Sequence, residues 1–275
     1  MNTFYNKVSN SWQQSNSLLC VGLDPDVKKL PPSIAAGREP LFEFNREIIR
    51  ATGPLCCAFK PQVAYYAAVG AESQLEKTIE FIKLEFPEIP VILDAKRGDI
   101  GSTAQMYAKE AFERYQVDAV TVNPYMGGDT IIPFTRYHDR GVVILCRTSN
   151  PGSGDFQELK SGNAEIFKHV AQRAANEWNQ NNNVALVVGA TFPGVISEIR
   201  DIVGDMPLLI PGIGAQGGDL EAVLENGLDS QNRGLLINMS RSIIYAGSGN
   251  NFADAAADEA KRVNGLVNRF RQNRI

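Results

Sequence analysis

The chain has 275 residues, 44% hydrophobic and 21% charged, the proportions of a globular protein with a full core. A formal net charge of −4 provides no basic field for nucleic acid or an anionic membrane, so a phosphate-bearing ligand would need a local nest of donors. No apolar run approaches the roughly 20 residues that cross a bilayer. The first residues also lack the charged-then-apolar order of a secretory leader, so a cytoplasmic protein is expected.

Along the chain, short apolar runs rich in Val, Ile, Leu and Ala alternate with longer amphipathic stretches. The runs cover residues 18–23, 55–60, 90–96, 117–122, 141–147, 184–189, 207–213 and 235–239. Each is short and continuously apolar, as in strands buried on both faces. Helical patterns lie between them, among others at 72–86, 103–115, 164–178, 220–226 and 252–271. A doubly wound open sheet is the competing layout. Eight strand–helix repeats with no second composition regime predict a (β/α)8 TIM barrel of the α/β class, one domain over 1–275. Two connections, 25–37 and 148–162, are longer than the fold needs. Both follow strands, which places them on the catalytic face of such a barrel.

Cys20, Cys56, Cys57 and Cys146 all lie in apolar runs, with no zinc-ligand spacing. Buried, reduced thiols are expected, with the adjacent Cys56 and Cys57 on opposite strand faces. His138 and His169, the only histidines, both read as lying in helix-like polar stretches. Two dispersed histidines argue against a histidine metal site and against a Ser-His-Asp triad.

The third strand ends in Asp94-Ala95-Lys96, followed by Asp99 between Gly98 and Gly101. Side-chain alternation predicts that Asp94 and Lys96 face the same way. Asp24 closes the first strand and Lys60 the second. A purely structural ion pair is costly beside apolar packing, whereas strand-terminal charges are where barrel enzymes keep their chemistry. A phosphate site is expected at Pro211-Gly212-Ile213-Gly214-Ala215-Gln216-Gly217-Gly218 and at Ser240-Arg241-Ser242, after strands seven and eight. Glycines admit close approach of backbone N–H groups to an anion, and Arg241 supplies a bidentate grip.

The run from Asp94 to Thr103 (Asp-x-Lys-x-x-Asp-Ile-Gly-x-Thr) resembles the signature of the orotidine 5'-phosphate decarboxylase family. The resemblance continues through Gly22-Leu23-Asp24, Phe59-Lys60-Pro61, Thr148-Ser149-Asn150-Pro151-Gly152, Gly214 to Gly218 and Ser240-Arg241-Ser242. The chain length and Asn123-Pro124-Tyr125 resemble the longer bacterial branch of that family. The resemblance implies decarboxylation of orotidine 5'-monophosphate to uridine 5'-monophosphate, in de novo pyrimidine biosynthesis, without metal or organic cofactor. It implies Lys96 as proton donor within a Lys60/Asp94/Lys96/Asp99 charge network. Asp24 and Lys60 would hold the ribose, with Lys60 also paired to Asp94. Ile100 and Thr103 would contact substrate, Ser149 would read the pyrimidine, and Gln216, Ser240 and Arg241 would hold phosphate. It further implies a homodimer in which Asp99 and Thr103 cross to the partner's site. Many members carry Gly where this chain has Ser240.

Two alternatives stand beside this reading. Magnesium-dependent sugar-phosphate decarboxylases or synthases of the same barrel superfamily share the Asp-x-Lys-x-x-Asp strand end and phosphate loops. A non-catalytic nucleotide-binding barrel would keep the fold without the reaction.

Overall fold

In the computed structural model, which describes residues 3–214 and 218–274, all eight predicted strands form. They are β1 (Leu19–Leu23), β2 (Ala58–Pro61), β3 (Ile92–Arg97), β4 (Ala119–Val122), β5 (Gly141–Arg147), β6 (Val184–Val188), β7 (Leu208–Pro211) and β8 (Leu235–Met239). They belong to one sheet in the order β2-β1-β8-β7-β6-β5-β4-β3. Its two end strands also meet, through parallel bridges Phe59↔Val91 and Gln62↔Asp94 and a 3.0 Å bond from Phe59 N–H to the Pro90 carbonyl. A sheet whose ends pair has no free edge, and with helices between successive strands this is the (β/α)8 barrel.

The chain divides into two compact units, with boundaries inside β3 (after Ala95) and β8 (after Ile237). The first comprises Asn6–Ala95 and Asn238–Ile275. In it β1 and β2 pair in parallel, Cys20 opposite Ala58 and Leu23 opposite Pro61. The predicted strand at 55–60 begins only at Ala58, because Pro54 sits in a 3-10 turn, Gly53–Leu55. Cys56 and Cys57 therefore precede the ladder, and both are fully buried. The helix Pro40–Thr52 buries Leu41, Phe44, Ile48 and Ile49 at helical spacing. Each such side chain contributes about 1.5–3 kcal/mol by leaving water. Phe44 stacks between Phe252 and Tyr245, with centroids at 5.1 and 5.8 Å, and so docks the C-terminal helix Phe252–Asn273.

The second unit comprises Lys96–Ile237 with residues 1–5. Strands β4 to β6 are parallel neighbours, buried at nearly every position, with a bulge in β5 between Leu145 and Arg147. The helix predicted at 103–115 starts earlier, as Gly101–Lys109, and ends in a π turn, Glu110–Arg114. The one predicted at 164–178 starts at Ile166, because Ala164–Glu165 pairs with Lys160–Ser161 in a small hairpin. His169 lies on that helix, whereas His138 sits in a turn after Ile132–Thr135 rather than in a helix. All four cysteines are free and buried. No helix among the described residues is long and apolar enough to cross a membrane.

Candidate active site

In the first unit, Lys60 and Asp94 form a buried ion pair, Nζ to Oδ2 at 2.7 Å. Burial alone lowers the proton affinity of Lys60. The Asp94 and Asp24 carboxylates, with the hydrogen bond to Asp94, outweigh that and hold the ammonium above the ordinary lysine value. Asp24 follows directly on β1. Its Oδ1 is buried without a hydrogen-bond partner, an arrangement that costs free energy until a donor arrives. Tyr245 braces the same turn: its hydroxyl accepts the Asp26 N–H at 2.6 Å and donates to the Asp24 carbonyl at 3.4 Å.

Ser240 stands at the start of the short helix Arg241–Ile244, and its carbonyl accepts the Ile243 and Ile244 N–H groups. Arg241 is exposed. Ser240 packs where Gly22 leaves space, so a serine at this position is matched by a glycine on β1.

In the second unit, Lys96 is exposed and its backbone is left-handed, φ +48°. Such a conformation is strained for a residue with a Cβ and collects at functional sites. The Lys96 N–H donates to the buried Thr121 Oγ1 at 2.9 Å, which holds the turn. Strand alternation is interrupted there by the positive φ. Arg97 turns back to its own helix, paired with Glu110 at 2.9 Å and stacked over Tyr107. Asp99 is half-buried and accepts the Ile100 N–H at 2.8 Å, while Ile100 and Thr103 are exposed.

Ser149 sits against the end of β6: a Cβ on Gly189 would stand 2.7 Å from both its backbone N and its Cβ. The turn after β7 uses positive φ at Gly212 (+103°) and Gly214 (+77°), which glycine adopts freely. It returns through Gly218, whose N–H bonds the Gly212 carbonyl at 3.1 Å. A Cβ on Gly218 would strike the Ala190 Cβ at 2.6 Å, so the close pass requires glycine. Gln216, Ala215 and Gly217 lie outside the described residues. Among the described residues, no cluster of three or more His, Cys, Asp or Glu is placed to hold a metal ion.

Arg147, which no sequence motif singles out, ends β5 and is 1% exposed. A charged residue closing the apolar run Gly141-Val142-Val143-Ile144-Leu145-Cys146 was the available signal.

The family profile described as "Orotidine 5'-phosphate decarboxylase / HUMPS family" matches residues 17–256. The chain belongs to that family. A protein named orotidine 5'-phosphate decarboxylase from Dechloromonas aromatica is 54% identical over 269 residues, covering 98% of this chain and all of the relative. The solved Leishmania donovani OMP decarboxylase superposes with a TM-score of 0.82 at 38% identity, covering 96% of this chain and 99% of that one. The Leishmania donovani UMP synthase gives a TM-score of 0.84 at 40% identity, with 96% of this chain covered and 57% of the longer enzyme.

Proposed function

We propose that the chain decarboxylates orotidine 5'-monophosphate to uridine 5'-monophosphate and carbon dioxide, a carboxy-lyase of pyrimidine biosynthesis. The observation that carries the reading is the Lys60–Asp94 pair beside the unsatisfied Asp24 carboxylate oxygen. A buried acceptor held near a fixed cation suits a ribose, whose hydroxyls both donate and accept. The Dechloromonas aromatica relative is named orotidine 5'-phosphate decarboxylase, and every position implied by the resemblance is filled by a competent residue.

In the reaction, the bond between carbon 6 and the carboxylate breaks, its electron pair stays on carbon 6, and carbon dioxide leaves. Lys96 Nζ then gives its proton to carbon 6 and is reprotonated from water. An ammonium aimed at the developing carbanion stabilises it electrostatically, and Asp94 and Asp99 flank it. Asp94 is already matched to Lys60 at 2.7 Å, so its charge is partly neutralised before substrate binds. Ser149 reads the base, Ile100 and Thr103 contact substrate, and Gln216, the Ser240 backbone and Arg241 hold phosphate. Binding energy from sugar and phosphate, remote from carbon 6, is available for orientation and for closure of the 148–162 segment.

The chain acts as a homodimer in which Asp99 and Thr103 serve the partner's site. The exposed Ile100, close in sequence to Asp99 and Thr103, supports this, since a partner subunit would cover it. Four buried free thiols suit a reducing, cytoplasmic setting.

The deciding experiment follows orotidine 5'-monophosphate absorbance with purified protein, with and without EDTA. Turnover unaffected by chelation is expected. Turnover abolished by EDTA and restored by magnesium would favour the sugar-phosphate chemistry of the superfamily. Uridine 5'-monophosphate binding with no turnover would favour a non-catalytic barrel.

A further inference from the structure

Arg147 lies at the β5 bulge, with its guanidinium carbon 4.0 Å above the Phe192 ring. Nη1 donates to the Thr148 carbonyl at 3.0 Å and to Ser153 Oγ, and Nη2 pairs with Glu158 Oε1 at 2.5 Å. Ser153 Oγ in turn donates to the Asn150 carbonyl at 2.6 Å, and the Thr148 N–H donates to Gln157 Oε1 at 2.8 Å. These bonds grip the chain immediately before and immediately after Ser149. The Arg147 carbonyl accepts the Gly189 N–H at 2.7 Å, so the loop that seats Ser149 and the ring that stacks on Arg147 belong to one connection, residues 189–192.

We propose that Arg147 is a positioning residue for base recognition, fastening residues 148–158 so that Ser149 is held ready for the pyrimidine. This rests on Ser149 reading the base, as in the function proposed above. The physical reason is charge matching. A cation that is 1% exposed is tolerable only with its counter-charge and hydrogen-bond acceptors in place. Here both are supplied by the segment itself, through Glu158, Ser153 and Thr148. Swinging that segment away would strip Nη1 and Nη2 of their partners, so the conformation that presents Ser149 is the one that matches the Arg147 charge, although Nε stays buried without an acceptor. Lysine cannot replace it, because a compact ammonium lacks the planar fork that stacks on Phe192 while serving several acceptors.

The test compares wild type with Arg147→Lys, Arg147→Met and Glu158→Gln, measuring calorimetric affinity for uridine 5'-monophosphate and for ribose 5-phosphate, which lacks the base. Both arginine variants are expected to lose about tenfold or more for the nucleotide, as for one misplaced hydrogen bond. Ribose 5-phosphate affinity stays within about twofold, and KM for orotidine 5'-monophosphate rises more than kcat falls. Equal losses for both ligands, or nucleotide affinity of Arg147→Lys within about twofold of wild type, overturn the proposal. If the arginine variants do not fold, Glu158→Gln decides, since its side chain is half-exposed: an unchanged ratio of the two affinities overturns it. Wild-type protein that neither binds the nucleotide nor turns over orotidine 5'-monophosphate refutes the function itself. Normal wild-type behaviour with unaffected variants refutes only the role of Arg147.

Discussion

Ser240 fills the space left by the missing side chain at Gly22: its Oγ lies 1.8 Å and its Cβ 2.8 Å from where a Cβ on Gly22 would stand. Gly22→Ala therefore forces Ser240, and the short helix it begins, to shift. The expected cost is about 1–3 kcal/mol, the usual range for overpacking. Ser240→Gly opens the space again and should recover most of that loss in the double variant. Thermal unfolding of wild type, both single variants and the double measures the coupling. Strictly additive losses would show that the two positions do not compete for space.

The Lys60–Asp94 pair makes an opposite kind of prediction, because its members support rather than exclude each other. Removing one, as in Lys60→Met, leaves a buried carboxylate without its cation and should cost about 3–5 kcal/mol, with turnover lost. The Lys60→Met/Asp94→Leu double variant should be more stable than Lys60→Met alone, though equally inactive. Denaturant titration of the set reads this directly. A double variant less stable than Lys60→Met would contradict the buried-charge account.

Alkaline pH should destabilise the fold through its buried thiols. Burial pushes the Cys20 thiol up to about 12, against the opposing pull of Lys60, and raises Cys56, Cys57 and Cys146 as well. Unfolded thiols lose their protons from about pH 8.5, whereas the folded ones retain theirs. Above that pH the unfolded state binds fewer protons, so stability falls as pH rises and is fully present below it. Melting temperature against pH from 7 to 10 should decline above about 8.5, and less steeply in Cys20→Ala. Identical slopes for the two proteins would exclude the Cys20 contribution.

Lys96 joins backbone strain to the proposed chemistry. Lys96→Ala should abolish turnover in a preparation free of host enzyme while uridine 5'-monophosphate still binds, and near-normal turnover would remove Lys96 from the mechanism. At an ordinary strand position glycine is about 1 kcal/mol less stable than alanine. At φ +48° that order should vanish, so Lys96→Gly is expected to unfold no earlier than Lys96→Ala.

Much of this molecule was legible in one dimension. Continuous apolar runs announce strands buried on both faces, and two of them, 141–147 and 235–239, coincide with the observed strands. Boundaries were less legible where local geometry intervened, as at Pro54 ahead of β2 or in the hairpin that delays the helix at Ile166. The charged residues of the candidate site were visible because ionisable groups at the ends of apolar strands are expensive without a use. Lys60 pairing with Asp94, implied by the family resemblance, is present.

What the residues determined by themselves was periodicity, the succession of strands and helices, and the family signature from Asp94 to Thr103, since each depends on neighbours in the chain. Tertiary structure alone decided the left-handed turn at Lys96, the mutual fit of Gly22 and Ser240, and the burial of Arg147 under its own loop. Those depend on which distant segments exclude one another's atoms or complete one another's hydrogen bonds. No local pattern encodes such a requirement, because it exists only once the chain has closed on itself.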